Sequence, residues 1–302
     1  MKAIVFEEYG GPEVLRLVEV EEPHAGPGQV RLKTVAVGVN PIDHKIRRGW
    51  LHEVFPVTFP AVPGTEAAGI VDEVGEGVTG ISVGDEVLGF TVTGAYAEYA
   101  LATEVAPKPA GLAWEAAAAL SAATETSHRV LDTLKVAGGE TLLVHGAAGS
   151  VGSAGAQLAV ARGATVIGTA SEANHDYLHS LGVTPVTYGD GLADRVRAAA
   201  PQGIDAVYDV TGYDVLEVSI DLRGGTTDRI VTIADTRAAE LGITLSAGPS
   251  RDFVPILADY ARRAADGRLD IRIDRSLPLA DAAKAQELSE AGHSHGKLLL
   301  RP

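Results

Sequence analysis

Residues 142–159, LLVHGAAGSVGSAGAQLA, decide how this chain is read. An apolar run enters glycines at 146, 149 and 152, and an alanine-rich segment without proline follows. The pattern is that of a strand passing through a glycine turn into a helix. Such a turn is either a phosphate cradle or a plain bend, and its surroundings choose between them.

Those surroundings change rhythm along the chain. Residues 1–110 carry short β-type runs broken by Gly and Pro: KAIVFEEYG, QVRLKTVAVGVNP, AAGIVDEVGEGV, GDEVLGF and GAYAEYALA. Short strands with frequent turn signals predict a β-rich domain. From Trp114 the sequence turns helical in AWEAAAALSAATETSHRVLDTL, and strands and helices then alternate. TLLVHG, TVIGTA, PVTY, DAVYDVTG, RIVTIAD and GITLSAG read as strands. Helices are expected from Val151, around Asp176–Leu181, and over LADRVRAAA and VLEVSIDL. Such alternation predicts a parallel sheet covered on both faces. DFVPILADYARRAADG and LADAAKAQELSEAG read as further helices, and KLLLR as a last strand.

At the head of that alternation the glycines acquire a physical role. A dinucleotide-binding turn needs one residue without Cβ for its bend and one where the backbone meets pyrophosphate. It needs a third where helix packs on strand. The helix N-terminus then directs N–H groups and the positive end of its dipole at the phosphates. The usual spacing is G-x-G-x-x-G; here AAGSVG has Ala147 in the first place, then Gly149 and Gly152, with Gly146 just before. The end of the next strand selects the cofactor. An acidic residue about 20 positions on would hold the ribose 2′-hydroxyl of NAD. Ala170 and Ser171 occupy that place, and Glu172 follows one residue later. A small hydroxyl residue leaves room for a 2′-phosphate, to which Ser171, Asn174 and His175 are candidate donors. NADPH is therefore the expected cofactor, although residues 165–188 contain no Lys or Arg. Glu172 carries the opposite choice, and Asn174 also reads as a helix N-cap.

Composition narrows the functions further. The chain has 302 residues, 46% of them hydrophobic, enough for two domains with a sizeable core. Its net charge of −15 would repel phosphate backbones, so no nucleic-acid partner is expected. The absence of cysteine excludes disulfides, thiolate metal ligands and a cysteine nucleophile. The N-terminal MKAIVFEEYGG is broken by acidic residues, unlike a signal peptide. No apolar run approaches the roughly 18 residues of a membrane span. A soluble, cytoplasmic protein with no membrane partner is expected.

The sequence resembles the medium-chain dehydrogenase/reductases, within them the zinc-free quinone oxidoreductases related to zeta-crystallin. The resemblance covers nearly the whole chain. It rests on VGVNPIDHKIRRG (37–49), FPAVPGTEAAGIVDEVGEGV (59–78), GDEVLGF (84–90), GAYAEY (94–99), VHGAAGSVG (144–152) and HGKLLL (295–300). It implies an α/β protein with a GroES-like β-rich catalytic domain and a doubly wound Rossmann domain. The expected bounds are 1–118, completed by 266–302, and 119–265, with the cofactor in the cleft between them. Homodimers or homotetramers are implied. Zinc-dependent relatives carry a Cys near Asn40–Asp43, Gly-His-Glu where this chain has Gly64-Thr65-Glu66, and a four-cysteine lobe. None of these is present, and no metal is expected; His293 and His295 lack the further ligands a metal needs.

The resemblance also assigns roles. Asn40 resembles the Asn facing nicotinamide and substrate; it also reads as a turn residue before Pro41. Thr126 resembles the hydroxyl residue beside the nicotinamide ribose. Ser150 and Val151 would offer N–H groups to the pyrophosphate, and Tyr188 would lie over the adenosine end. Thr211 and Gly212 end the fourth strand at the carboxyl edge where ligands bind. Ile233, Ala234 and Asp235 end the fifth and would touch the carboxamide through backbone. Lys297 resembles the Lys of the terminal Gly-Lys motif. Asp43 reads as a local hydrogen-bond acceptor, while His44 and Trp50 are substrate-side candidates. Tyr9 and Tyr96 fit packing of the β-rich domain. The implied reaction is hydride transfer from NADPH to a quinone or α,β-unsaturated carbonyl, whose anionic product is delocalised and needs few hydrogen bonds. The alternatives are an enoyl reductase acting on acyl thioesters and a non-catalytic NADPH-binding protein.

Overall fold

The computed structural model describes every residue except Pro249, Arg251 and His293. The chain divides into two compact units, Met1–Ala122 with Asp252–Pro302, and Ala123–Arg251.

The first unit opens with an antiparallel pair, β1 (Lys2–Val5) and β2 (Arg16–Glu19). Its main sheet contains β3 (Val30–Val39), β4 (Glu66–Val74), β5 (Glu86–Thr91) and β6 (Tyr99–Pro107), with β3 pairing back to β6 so that this part closes on itself. Closure removes exposed edges. Between β3 and β4 lies α1 (Pro41–Arg47), begun by an Asn-Pro pair with Asp43 in its first turn. After β6 comes α2 (Trp114–Thr133), which runs from the first unit into the second.

The second unit is a six-stranded parallel sheet. Its strands are β7 (Thr141–His145), β8 (Thr165–Ala170), β9 (Thr184–Thr187), β10 (Ala206–Asp209), β11 (Ile230–Thr232) and β12 (Thr244–Leu245). Their order is β12-β11-β10-β7-β8-β9, so the winding reverses between β7 and β10. That is the doubly wound Rossmann arrangement, and the reversal is its ligand crevice. The connecting helices are α3 (Ser150–Ala161), α4 (His175–Ser180), α5 (Leu192–Ala199) and α6 (Leu216–Leu222). β7 is buried throughout, as a central parallel strand requires.

The chain then returns to the first unit with α7 (Val254–Ala265), β13 (Ile273–Pro278), α8 (Ala282–Glu290) and β14 (Lys297–Arg301). β14 joins the β-rich sheet antiparallel to β3 and parallel to β13. The expected boundaries at 118/119 and 265/266 thus differ from those observed. Residues 252–265 belong to the first unit because α7 packs against β6 with Leu257, Tyr260 and Ala261 buried. Among the described residues, no helix is long and apolar enough to cross a membrane.

Candidate active site

The glycine turn follows β7. Gly146 adopts φ +75°, the left-handed bend, one residue before the expected first glycine. Ala147 is therefore released from that duty and is fully buried. A Cβ on Gly168 would come within 2.7 Å of the Ala147 methyl, so the neighbouring strand makes room for it with a glycine. The turn is tied to β8 by two bonds from backbone N–H groups. That of Gly146 donates to Thr169 Oγ1 (3.0 Å) and that of Ala147 to Thr169 O (3.0 Å).

Gly149 and Gly152 differ in what surrounds them. A Cβ on Gly152 would fall inside contact of Gly146 O and 2.9 Å from Ala147 Cα, so glycine here is required by helix-on-turn packing. A Cβ on Gly149 would meet only Gly146 O, at 3.6 Å. Its open face is where backbone can approach a ligand. Ser153 N–H donates to Gly149 O (2.8 Å) at the start of the α3 ladder. The amides of Ser150, Val151 and Gly152 precede it at the helix N-terminus.

At the end of β8, Asn174 is buried and donates from Nδ2 to Ser171 Oγ (3.0 Å). It stands at the N-cap position of α4 without a side-chain cap bond. Asn174 thus orients Ser171. His175 Nε2 is buried without a partner, so that nitrogen is not presented outward. Glu172 is exposed. Tyr188 follows β9 and is 58% exposed. Its carbonyl, with those of Thr187, Gly189 and Asp190, accepts from the Arg195 guanidinium, a fixing contact the sequence reading missed.

On the other side of the reversal, the backbone amides face inward. Thr211 N donates to Asp209 Oδ1 (2.9 Å) and Gly212 N lies 3.3 Å from both Asp209 oxygens. Ile233 N donates to Asp209 O (3.1 Å), while Ala234 N and Asp235 N donate to Thr232 Oγ1 (3.1 and 3.0 Å). The N–H groups of Ile233, Ala234 and Asp235 are therefore all engaged within the protein, and Asp235 O accepts from Ala238 N (3.3 Å). The Asp235 carboxylate is held by Arg237 N, Nε and Nη2, and this guanidinium keeps it below the usual carboxylate range. Thr126, on α2, is half-buried, with Oγ1 3.3 Å from Glu125 Oε2. Glu125 in turn accepts from Arg129 and from Ser250 N and Oγ.

In the first unit, Asn40, Glu66 and Lys297 form one buried cluster. Asn40 Nδ2 donates to Glu66 Oε1 (2.8 Å), Lys297 Nζ donates to Asn40 Oδ1 (2.6 Å) and also to Glu66 Oε1. Glu66 Oε2 accepts from Ala122 N (2.7 Å). Lys297 is 1% exposed and Glu66 0%. Lys297 is thus buried, with its ammonium held by Asn40 and Glu66. Both polar atoms of the Asn40 amide are engaged by the same cluster. Gly38 is required beneath it, since a Cβ there would lie 2.7 Å from Glu66 Cδ.

Asp43 closes α1 as expected, with Oδ2 accepting from Asn40 N (2.9 Å) and from Tyr96 OH (2.9 Å). Tyr96 is fully buried, and Tyr9 stacks edge-on to Phe59 at 5.0 Å. His44 is buried, and burial pushes it down to about 4. Trp50 is 63% exposed, with its ring edge-on to His44 at 6.2 Å.

Burial pushes Asp43 up to about 7, against the two donors and nearby Lys297. Its second oxygen is buried without a partner, as suits a neutral carboxyl. Between pH 4 and 7 the folded state then holds a proton that the unfolded state has lost, so this group's contribution to stability falls as pH rises through that window. Asp43→Asn keeps an oxygen for both donors and cannot ionise. Urea midpoints at pH 5 and 8 should show the variant gaining on the wild type at pH 8, by at most about 3 kcal/mol. An equal difference at both pH values would contradict this.

Two family models match the chain: the alcohol dehydrogenase GroES-like domain over residues 26–110 and the zinc-binding dehydrogenase over 181–300. A rat quinone oxidoreductase is 33% identical over 322 residues, covering 99% of this chain and 96% of its own. The chain belongs to the quinone oxidoreductase family. The solved quinone oxidoreductase of Coxiella burnetii superposes with TM-score 0.87 at 32% identity, covering 100% of this chain and 99% of that one. That of Escherichia coli, complexed with NADPH, gives 0.88 at 27% identity and covers 100% of both. For this member of the quinone oxidoreductases, the residues present do not fit a catalytic zinc. The chain lacks cysteine, Thr65 is no ligand of the usual type, and Glu66 is engaged by three internal donors. Among the described residues, no group of three or more His, Asp or Glu is placed to hold a metal ion.

Proposed function

We propose that the chain binds NADPH at the Gly146–Gly152 turn and reduces a quinone or an α,β-unsaturated carbonyl without zinc. The observation that carries this reading is the open face of Gly149 beside the α3 N-terminus, at the point where the sheet reverses its winding. Pyrophosphate fits there because the amides of Ser150, Val151 and Gly152 and the helix dipole favour an anion. Ser171, whose Oγ already accepts from Asn174, keeps its hydroxyl hydrogen as the donor for a 2′-phosphate. The carbonyls of Ile233 and Ala234 suit the NH2 of a carboxamide. The bound cofactor supplies the hydride. The protein's part is to hold the nicotinamide and exclude competing orientations, and a delocalised anionic product needs few protein donors.

The test is a fluorescence titration with NADPH and NADH, followed by NADPH oxidation with 9,10-phenanthrenequinone and a simple enone. Preferential NADPH binding with turnover is expected. NADH preference would give the ribose to Glu172 and overturn the cofactor assignment. NADPH binding without turnover of either acceptor would overturn the substrate assignment.

A further inference from the structure

Asp209 ends β10 beside His145, its register partner on β7, so the two flank the reversal of the sheet. Asp209 is fully buried. It accepts from Thr211 N (2.9 Å), Thr211 Oγ1 (2.7 Å), Gly212 N and, through Oδ2, Thr232 Oγ1 (2.7 Å). Having donated its proton to Asp209, the Thr232 hydroxyl accepts from Ala234 N and Asp235 N. One carboxylate therefore holds the turn after β10 directly and the turn after β11 through a single hydroxyl. The two turns also touch: a Cβ on Gly212, at φ +66°, would lie 3.0 Å from Ala234 C and O. No cation appears among these partners; the charge is balanced by dipoles, all from the two turns and the strand between them.

We infer that Asp209, with Thr232 as its relay, is the positioning residue that fixes both ligand-side turns of β10 and β11 as one rigid edge. This rests on the NADPH reading. In a doubly wound sheet, the first half takes the adenosine end of a dinucleotide, leaving the nicotinamide end to the half containing β10 and β11. Loosening this edge should weaken the nicotinamide half of the ligand and spare the adenosine half.

That asymmetry is the test. NADPH and 2′,5′-ADP, which carries only the adenosine half, are titrated into wild type, Thr232→Val, Thr232→Ser and Asp209→Asn. Thr232→Val is nearly isosteric, keeps the charge of Asp209 and removes only the relay. It should raise the Kd for NADPH about ten- to a hundredfold, as for loss of a hydrogen bond to a charged group, and leave 2′,5′-ADP within about twofold. Thr232→Ser retains the hydroxyl and should bind both ligands as wild type does. Asp209→Asn should follow Thr232→Val or exceed it. Equal weakening of both ligands, or unchanged NADPH binding in Thr232→Val, overturns the positioning role. A wild-type chain that binds neither ligand overturns the NADPH reading itself.

Discussion

Lys297→Met should lower the free energy of unfolding by about 3–5 kcal/mol, the range for breaking a buried ion pair from one side. The ammonium is 1% exposed and donates to Glu66 and to Asn40 Oδ1. Methionine matches the stem in length but leaves the Glu66 carboxylate, itself 0% exposed, with only Asn40 Nδ2 and Ala122 N as donors. Against a typical stability of about 5–15 kcal/mol, such a loss moves the urea midpoint far. The double variant Lys297→Met/Glu66→Gln removes the uncompensated charge and should recover part of the loss. A cycle of wild type, both singles and the double measures the coupling. Additive singles would mean that the pair is not coupled. The same lysine joins β14 to the end of β3, so its loss should also loosen Asn40, which a merely local packing defect would not do.

That cluster marks where the sequence stops being legible. The alternating half could be read almost element by element because its strands are buried runs of one kind of residue and its helices begin at turn residues. All six parallel strands lie where their apolar runs placed them. The shorter elements escaped. α1 hides in NPIDHKIR because Asn-Pro reads equally as a turn, and the start of the helix is marked by Asp43 reaching back to Asn40 N. β13 carries Asp274, Arg275 and Ser276 and shows no apolar run; it is an edge strand defined by its parallel neighbour. GAYAEY reads as strand, yet β6 begins only at Tyr99, and the residues before it meet β1 through a bridge of Ala97 to Ala3. Site residues divide in the same way. Glycines betray themselves through local conformation, whereas Glu66, Asp209, Thr232 and Arg195 acquire their roles from partners that folding brings together. Lys297 and Asn40 lie 257 positions apart, and nothing in either segment announces the other.

Gly149→Ala should leave the fold standing and remove cofactor binding. Its backbone, φ −73° and ψ 168°, is ordinary for alanine, and the new methyl would meet only Gly146 O at 3.6 Å. Alanine is a poorer N-cap than glycine, but it also restricts the unfolded chain by about 0.4–1 kcal/mol. These effects oppose each other, so the melting temperature should change little. The methyl would instead occupy the open face, and a pyrophosphate displaced from the α3 amides loses several charge-assisted bonds. NADPH affinity should fall at least about a hundredfold, since two such bonds account for about 3 kcal/mol. Gly152→Ala supplies the contrast. Its methyl is driven into Gly146 O and lies 2.9 Å from Ala147 Cα, where backbone must move, and overpacking of this kind costs about 1–3 kcal/mol. That variant should lose stability and binding together. Thermal melts with and without NADPH separate the two: Gly149→Ala should melt like the free wild type and gain nothing from the ligand. If Gly149→Ala is instead stabilised by NADPH as the wild type is, the pyrophosphate does not rest on that face. The turn would then be only a bend between a strand and a helix.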